Sequence, residues 1–250
     1  MTQRSVIFVT GGSRGIGRAI VLAAADHGYD VAFTYRSAES EAQKLVAEVE
    51  SKGAKALALC ADGASQADTR HAIQTAAEQF GRLDALVVNA GIVGEPRSIL
   101  DVDADHLTHV FNTNVLGAFY AIGAAAGVMS TQRGGNGGTI LVMSSAAARH
   151  GGMANESHYA ASKGAVDSMT LALAKELPAH GIRINSLRPG VIRTTLHDIH
   201  GGEELIAAVE KGIPLGRAGS TDEVADVVLY LLGPRSSYIH GAVVDVSGGR

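Results

Sequence analysis

Tyr159 and Lys163 are the pair of side chains in this sequence whose types and spacing are best suited to chemistry. They are four residues apart, and positions i and i+4 share one face of a helix, so an ammonium group would stand beside a phenol. A free phenol titrates at about pH 10, and a fixed positive neighbour favours the phenolate. Such a tyrosine could exchange a proton with a hydroxyl at neutral pH. Beside a dinucleotide, the pair would interconvert an alcohol and a ketone, although the same spacing also occurs on plain helix surfaces.

A glycine-rich turn near the N-terminus supplies the context that this chemistry needs. The strand-like run Val6–Val9 leads into the turn, and a helical pattern follows it. A helix N-terminus offers free amides and a positive dipole end to a pyrophosphate, and glycines let phosphates approach the backbone. The sequence therefore predicts a dinucleotide site at Gly11, Ser13, Arg14, Gly15, Ile16 and Gly17.

The end of the second predicted strand indicates which dinucleotide is bound. NAD sites usually place Asp or Glu there to bond the ribose 2′-hydroxyl, whereas Arg accommodates a 2′-phosphate. Tyr35 and Arg36 occupy this place, and Arg14 in the glycine turn could reach the same phosphate with its guanidinium fork. NADP (NADPH) is therefore expected in preference to NAD, with Glu39 as a possible substitute for the missing acid.

Composition restricts the class of protein. The chain has 250 residues, 46% hydrophobic and 18% charged, which suits a single α/β domain over residues 1–250. A net charge of −4 argues against a nucleic-acid partner. Cys60 is the only cysteine, so no intramolecular disulfide forms, as in a reducing compartment. With no signal peptide or membrane-length apolar run evident, a cytoplasmic protein is expected.

Short apolar runs alternate with longer helical patterns, which indicates repeated βαβ units and a parallel sheet. Several runs are nearly continuous in Val, Ile and Leu, as in strands covered on both faces. The predicted fold is α/β, a Rossmann-type, doubly wound parallel sheet of about seven strands with helices on both faces. The predicted strands are Ser5–Thr10, Asp30–Tyr35, Lys55–Cys60, Asp84–Asn89, Thr139–Ser144, Ile182–Leu187 and Ala242–Val246. The predicted helices are Gly15–Gly28, Ala38–Gly53, Gln66–Phe80, Asp103–Ser130, Ser157–His180 and Thr221–Leu232.

The segment 193–219, between the sixth strand and the last helix, is polar and contains several glycines. These features predict a mobile lid over the substrate. His197, Asp198 and His200 lie in it and could contribute to a zinc site, but further ligands are not evident. No metal is expected, and these residues are better candidates for substrate contact or an exposed lid surface.

Five separated motifs together resemble the short-chain dehydrogenase/reductase family in its single-domain form, over essentially the whole chain. The motifs are Thr10–Gly17, Ala61-Asp62, Asn89-Ala90-Gly91, the set Ser145, Tyr159 and Lys163, and Pro189-Gly190 followed by Thr194. Within the family, the chain is most similar to bacterial glucose 1-dehydrogenase-like enzymes and 3-oxoacyl-carrier-protein reductases. The resemblance implies an NAD(P)-dependent oxidoreductase that acts on CH–OH groups.

The resemblance also implies catalytic roles. Ser145 would polarise the substrate carbonyl, and Tyr159 would act as general acid in reduction and as base in oxidation. Lys163 would lower the pKa of the tyrosine and bond the nicotinamide ribose, and Asn114 would hold a water that relays protons to it. Ser144 remains a second candidate for the substrate-binding hydroxyl. One extra residue between Arg149 and Ser157 is implied, relative to many members.

Cofactor contacts follow from the same resemblance. Asp62 would bond the adenine amino group, although the residues alone also allow it to be a turn or N-cap residue. Asn89 would steady the central sheet, and Gly91 would let the cofactor pass. The remaining implied contacts are Ala90, Pro189, Gly190, Ile192 and Thr194, besides Tyr159 and Lys163.

Three further questions stay open at the level of sequence. A sugar-nucleotide epimerase or dehydratase shares the Tyr–Lys pair but carries a further substrate domain, for which 250 residues leave no room. A non-catalytic NADP-binding sensor would share the fold without turnover, but the presence of Ser145, Tyr159, Lys163 and Asn114 together argues against it. The polar residues Arg149, His150, Asn155, Glu156 and His158 flank the site and favour a small, polar substrate of the sugar, polyol or oxoacyl type. Helices 103–130 and 157–180 are rich in Ala and Gly; the family pairs them in homotetramers, although small residues would also let them pack closely on the sheet.

Overall fold

The computed structural model describes residues 4–194 and 209–250, and within them one parallel sheet of seven strands forms the centre of the molecule. The strand order is β3-β2-β1-β4-β5-β6-β7, so the order of the chain reverses between β1 and β4. Ligands of such sheets bind at the carboxyl ends of the strands beside this reversal. The Rossmann-type prediction is confirmed. The strands are β1 (Ser5–Val9), β2 (Tyr29–Tyr35), β3 (Ala56–Cys60), β4 (Ala85–Val88), β5 (Gly138–Met143), β6 (Ile182–Pro189) and β7 (Val243–Val246).

Helices cover both faces of the sheet, and alternate residues of each strand serve the two faces. On β1, Ile7 and Val9 pack into one hydrophobic cluster, whereas Val6 and Phe8 pack into the other. Double burial of this kind explains why the strands are nearly continuous apolar runs. The helices are α1 (Gly15–Asp26), α2 (Glu39–Ser51), α3 (Gln66–Phe80), α4 (Ala104–Phe111), α5 (Gly117–Met129), α6 (Ala147–His150), α7 (Ser157–Leu173) and α8 (Thr221–Leu232).

Two of the predicted long helices differ from those in the structure. The predicted helix Asp103–Ser130 is interrupted by the π-helical segment Asn112–Leu116, which lies between α4 and α5. The predicted helix Ser157–His180 is also too long, because α7 ends at Leu173 and a separate 3₁₀ turn covers Leu177–His180. Pro178 occupies the start of that turn, and a proline lacks the N–H that a continuing helix requires. The short helix α6 was not predicted.

Some predictions fall outside what the structure describes. His197, Asp198, His200, Gly201 and Gly202 lie beyond the described residues, so the lid stays a prediction. That residues 1–250 form a single domain also stays a prediction. Among the helices of the described residues, none has the length and apolar character needed to cross a membrane. A cytoplasmic location stays a prediction.

Candidate active site

Helix α7 brings the Tyr–Lys pair to the carboxyl edge of the sheet. Lys163 is only 5% exposed, and its Nζ donates a hydrogen bond to the carbonyl oxygen of Met143, the last residue of β5, at 2.7 Å. The same Nζ lies 5.9 Å from the centre of the Tyr159 ring. Two side chains with i, i+4 spacing are thus held together beside the end of a central strand.

Burial is the main influence on the protonation of this pair. Burial raises the pKa of Tyr159, and the Ser145 hydroxyl works against this rise. Burial also lowers the pKa of Lys163, to about 8. That Lys163 lowers the pKa of the phenol stays a prediction; here the ammonium bonds the Met143 carbonyl, and burial penalises both charged forms. The phenol is therefore protonated at neutral pH.

The structure separates the two candidate serines that follow β5. Ser144 is buried, and its Oγ donates to the carbonyl oxygen of Lys163 at 3.2 Å. Ser145 is only partly buried; its Oγ accepts from the amide of Ala147 at 3.2 Å and acts on the Tyr159 phenol. The geometry therefore favours Ser145 as the hydroxyl that meets a substrate, and it gives Ser144 a role in fastening α7 to β5.

Asn114 lies in the π-helical segment and is 2% exposed. Its Oδ1 accepts from the amide of Ile92 at 2.8 Å, and its Nδ2 donates to the Ile92 carbonyl at 2.8 Å and to Ser162 Oγ at 3.0 Å. Both amide hydrogens are thereby used. Asn114 ties the loop after β4 to α7, and single π-turns in helices are frequent at functional sites. The proton-relay role stays a prediction.

Gly91 leaves space beside these polar groups. A Cβ placed on it would lie 3.2 Å from Asn114 Oδ1 and 3.3 Å from Lys163 Nζ. Contacts this short are rare for a real Cβ, so a larger residue would push against the catalytic helix. The absence of a side chain here keeps a path open along the edge of the sheet, which suits the passage of an extended cofactor.

The glycine turn has the features of a phosphate cradle. Helix α1 has Arg14 as its N-cap residue, with no side-chain cap and no acidic residue in its first turn, so the first amides are available to an anion. Gly11 and Gly15 have φ of 64° and 54°, which favours glycine. A Cβ on Gly17 would collide with the carbonyl of Gly11. The residues present therefore fit a dinucleotide pyrophosphate, with Ser13 and Ile16 in the same turn.

Hydrogen bonds fix this turn to the neighbouring strand. Asn89 Nδ2 donates to the carbonyls of Thr10 and Gly11 at 3.1 and 2.9 Å. Thr10 Oγ1 accepts from the amides of Asn89 and Ala90, both at 2.9 Å. The turn is thus held at the point where the strand order reverses, which is the place where such folds bind dinucleotides.

Two arginines remain available at the predicted ribose end. Arg14 and Arg36 are exposed, and neither guanidinium has a hydrogen bond or ion pair with any part of the chain that the structure describes. Glu39 lies in the first turn of α2 and helps to raise the pKa of Tyr35, after burial. Two unpaired guanidinium groups suit a 2′-phosphate.

Asp62 makes a local turn in the structure. Its Oδ1 accepts from the amide of Ala64 at 2.9 Å, and Ser65 is the N-cap residue of α3. This is the turn alternative that the residues allowed. Contact with an adenine amino group stays a prediction.

The end of β6 closes the other side of the site. The carbonyl of Pro189 accepts from the amide of Ala146 at 2.9 Å, and a Cβ on Gly190 would come within 2.7 Å of Ser247 Cα. Ile192 is buried. Thr194 lies over the glycine turn, since its methyl carbon is 3.7 Å from a Cβ position on Gly15. The glycine turn, which is predicted to bind the pyrophosphate, and the loop after β6, which is predicted to contact the cofactor, are therefore adjacent.

Two residues expected at the substrate rim are interior. Glu156 and His158 are 5% and 3% exposed. His158 Nε2 lies 3.1 Å from the carbonyl of Val93, and its ring makes an edge-to-face contact with His106 at 4.5 Å. These two side chains are therefore not exposed rim residues: His158 packs α7 against α4 and the loop after β4, and Glu156 Oε2 accepts from the amide of Met153 at 3.2 Å. Arg149, His150 and Asn155 are exposed.

The loop with the implied extra residue has an unusual backbone. Gly151 and Gly152 have positive φ. Asn155, with a φ of 67°, is the only residue other than glycine with a positive φ among the described residues. Its carbonyl accepts from the amide of Arg97 at 2.9 Å. The loop is thus anchored to the segment after β4.

Sequence reasoning missed Asp167, which is buried one helical turn beyond Lys163. The available signal was its i+4 spacing from the lysine on the inner face of α7. Within the described ranges 4–194 and 209–250, no group of three or more His, Cys, Asp or Glu could hold a metal ion.

Comparisons with known proteins agree on one family. Residues 11–250 match a family model described as enoyl-(acyl carrier protein) reductase. The chain is 39% identical over 247 residues to the uncharacterized oxidoreductase YgfF of Escherichia coli (strain K12), covering 98% of this chain and 100% of that protein. It is 37% identical over 250 residues to an L-rhamnose 1-dehydrogenase (NAD(P)(+)) of Sphingomonas sp. (strain SKA58), covering 100% and 97%. A blue fluorescent protein from a metagenomic library, solved with NADPH, superposes with a TM-score of 0.89 at 40% identity, covering 98% and 97%.

Proposed function

Because the chain belongs to the short-chain dehydrogenase/reductase family, and is thus an oxidoreductase of alcohol and carbonyl groups, we propose that it uses NADP(H) to interconvert a carbonyl and an alcohol in a small, polar substrate. The observation that carries the cofactor assignment is the pair of exposed guanidinium groups, Arg14 and Arg36, beside the open N-terminus of α1. The relative solved with NADPH supports the same choice.

The side chains at the edge of the sheet would divide the chemistry. Ser145 Oγ would donate a hydrogen bond to the substrate carbonyl oxygen, and the protonated Tyr159 phenol would deliver the proton to it. Lys163 would keep positive charge beside the phenol as this proton leaves. Bound NADP(H) supplies or accepts the hydride. In the oxidation direction, the same phenol oxygen takes the proton back.

The substrate assignment rests on the polar rim and on one relative. Arg149, His150 and Asn155 are exposed near Ser145, and they offer donors and acceptors to hydroxyl groups. The Sphingomonas relative is named for the oxidation of a sugar, L-rhamnose. A sugar, polyol or oxoacyl substrate accords with this surface. The naming of relatives as oxidoreductases favours an enzyme over a non-catalytic sensor of the same fold.

A substrate panel tests the proposal directly. Aldoses and polyols would be offered with NADP, and ketoses and 3-oxoacyl thioesters with NADPH, while absorbance of the reduced nicotinamide is followed. Turnover of a hydroxylated or oxoacyl compound is expected. Turnover restricted to apolar ketones would contradict the substrate class, and cofactor binding without turnover on any compound would support the sensor instead.

A further inference from the structure

Asp167 is a buried carboxylate on the catalytic helix α7. The reaction steps described above do not involve it. It is 6% exposed and lies one turn after Lys163 and two turns after Tyr159, so the three share a face of α7. Its Oδ1 accepts from Ser186 Oγ at 3.1 Å. Its Oδ2 accepts from Nε of Arg188 at 2.8 Å and lies 2.8 Å from Nη2 of the same residue.

These bonds fix the position of the carboxylate. Burying a charged group is unfavourable unless it is paired and hydrogen-bonded, and here both oxygens have partners on β6. Ser186 and Arg188 are two residues apart on that strand, so their side chains point to the same face. The backbone of β6 therefore determines where the negative charge lies relative to α7.

The charges continue across the sheet in alternating sign. Arg188 Nη1 lies 3.7 Å from Asp245 Oδ1, and these two residues are register partners on β6 and β7. Asp245 Oδ2 in turn accepts from Arg149 Nη1 at 2.9 Å. These ion pairs therefore connect Asp167 on α7 with Arg149 on α6. Arg188 is thus held from two sides, which keeps it on Asp167.

The buried ammonium of Lys163 needs a negative charge nearby to stay protonated. Its Nζ is buried and bonds one protein carbonyl, that of Met143. Burial lowers the pKa of Lys163 to about 8, and the negative charge of Asp167 opposes this lowering. Tyr159 lies beside it and Asp167 acts on it from the same helix. Arg188 on β6 is paired with Asp167, and Glu156 acts on the Tyr159 phenol.

We propose that Asp167, held by Ser186 and Arg188, is a positioning residue that keeps the Lys163 ammonium charged at the active site. The proposal rests on the catalytic role of Lys163 and therefore on the proposed function. It adds a buried acid to the set of Asn114, Ser145, Tyr159 and Lys163. It also connects that set to β6 and β7, which otherwise serve as framework.

Direct titration of Lys163 tests the proposal without any turnover. The protein would be labelled with [¹³C]lysine, the ¹³Cε shifts followed against pH, and the Lys163 signal assigned with Lys163→Met. We expect a midpoint of about 8 in the wild type. In Asp167→Asn the midpoint should fall by about one unit, because the loss of a nearby opposite charge typically shifts a pKa by at least that much. An unchanged midpoint would overturn the proposal.

Two further variants separate electrostatics from loss of structure. Arg188→Gln removes the positive charge behind Asp167, so the Lys163 midpoint should rise, opposite to its change in Asp167→Asn. Midpoints that move in the same direction in both variants would indicate general loosening of the site and contradict the proposal. Arg188→Gln also serves if Asp167→Asn does not fold.

Asp84→Asn is the matched control. Asp84 makes a comparable Arg–carboxylate pair with Arg82, at 2.6 Å, and also accepts from the amide of Val6 at 2.8 Å. It precedes β4, at the amino edge of the sheet, away from Lys163. This variant should lose thermal stability and leave the Lys163 midpoint unchanged. A shift as large as that of Asp167→Asn would sink the electrostatic argument.

Kinetics provide the functional readout. With an active substrate, the alkaline decline of kcat/KM should move down by about one pH unit in Asp167→Asn, with near wild-type rates on the acidic side. Asp167→Glu should restore most of the profile. A uniform loss at every pH would mean a structural role only. Failure of the substrate panel would remove this readout but leave the titration of Lys163 intact, so the two failures remain distinguishable.

Discussion

At the residue scale, the site combines side chains whose protonation depends on burial. Ser145 stands at the end of β5, and Tyr159 and Lys163 project from α7 to the same edge. Burial raises the pKa of the phenol and lowers the pKa of the ammonium. The phenol is therefore a neutral acid, and the ammonium beside it loses its proton more readily than that of a free lysine. This state suits delivery of a proton to a carbonyl oxygen and explains why small changes around Lys163 would alter activity.

Replacement of Tyr159 by Phe removes the proton donor and keeps the ring. Because general acid–base groups contribute about 10²- to 10⁴-fold, kcat should fall by at least this range. The glycine turn is untouched, so the Kd for NADPH, measured by its fluorescence, should stay within about twofold of wild type. Ser144→Ala is a control for the neighbouring serine, and it should lower stability more than kcat. Wild-type turnover in the phenylalanine variant would refute the assignment.

Replacement of Arg36 by Asp reverses the charge at the predicted ribose end. An arginine accommodates the 2′-phosphate of NADP, whereas an acidic residue bonds the 2′-hydroxyl of NAD. The ratio of kcat/KM for NADP over NAD should therefore fall by one or more orders of magnitude, roughly the effect of losing one charge-assisted contact. Arg70→Asp, on α3, provides a charge-matched control. A wild-type preference for NAD would contradict the assignment of the ribose end.

At the element scale, α7 is positioned by contacts on each of its sides. Ser144 and Lys163 bind it to β5, Asn114 binds it to the loop after β4, and His158 packs it against α4. The π-helical segment lies between α4 and α5. It contains Asn114, whose side-chain amide bonds both the loop after β4 and α7. Displacement of any one neighbour would therefore move the Tyr–Lys pair as a unit.

The His106–His158 contact should make this packing sensitive to acid. Burial and then His106 lower the pKa of His158 below 6.5, with Glu156 opposing and Arg97 adding to the lowering. His158 therefore stays neutral in the fold, while the unfolded chain takes up a proton below about pH 6.5. The stability it contributes is complete above that pH and is lost as the pH falls.

Thermal unfolding at about pH 7.5 and about pH 5.5 measures this effect, since linkage predicts a smaller difference in Tm once the titrating group is removed. His158→Gln should lower Tm at the higher pH, through lost packing, and narrow the gap between the two values. His109→Gln, on the exposed face of α4, should preserve the wild-type gap. An unchanged gap in His158→Gln would contradict the assignment.

At the scale of the whole molecule, α5 and α7 each expose a large apolar side chain and a glycine with open space around it. Phe119 and Leu171 are 48% and 51% exposed, and a Cβ added at Gly123 or Gly164 would meet nothing within 4 Å. Large exposed apolar side chains on the surface are a feature of interaction sites. We infer that these helices pair with those of a second copy, and that the closed assembly is a homotetramer.

Light scattering at micromolar concentration checks this inference. The wild type should give about four times the chain mass of 25.7 kDa, as closed D₂ symmetry requires. Phe119→Glu should reduce the mass by burying a charge in the contact. Leu215→Glu, at a leucine that is exposed elsewhere, should not. A monomeric wild type would refute the tetramer.

The sequence by itself was sufficient for the seven strands, which the structure places within two residues of their predicted bounds. Burial on both faces of a parallel strand requires an uninterrupted apolar run, and glycines mark the turns between runs. The glycine turn and the Tyr–Lys spacing are equally local patterns. Together they determined the fold class and the reaction class.

Only the tertiary structure decided matters that depend on residues far apart in the chain. It distinguished Ser145 from Ser144 by the direction of each hydroxyl after β5, and it moved His158 and Glu156 from the rim to the interior. It also brought Asp167 to Arg188, across two elements. A local pattern records which face a residue occupies, but burial and pairing depend on what the rest of the chain places against that face.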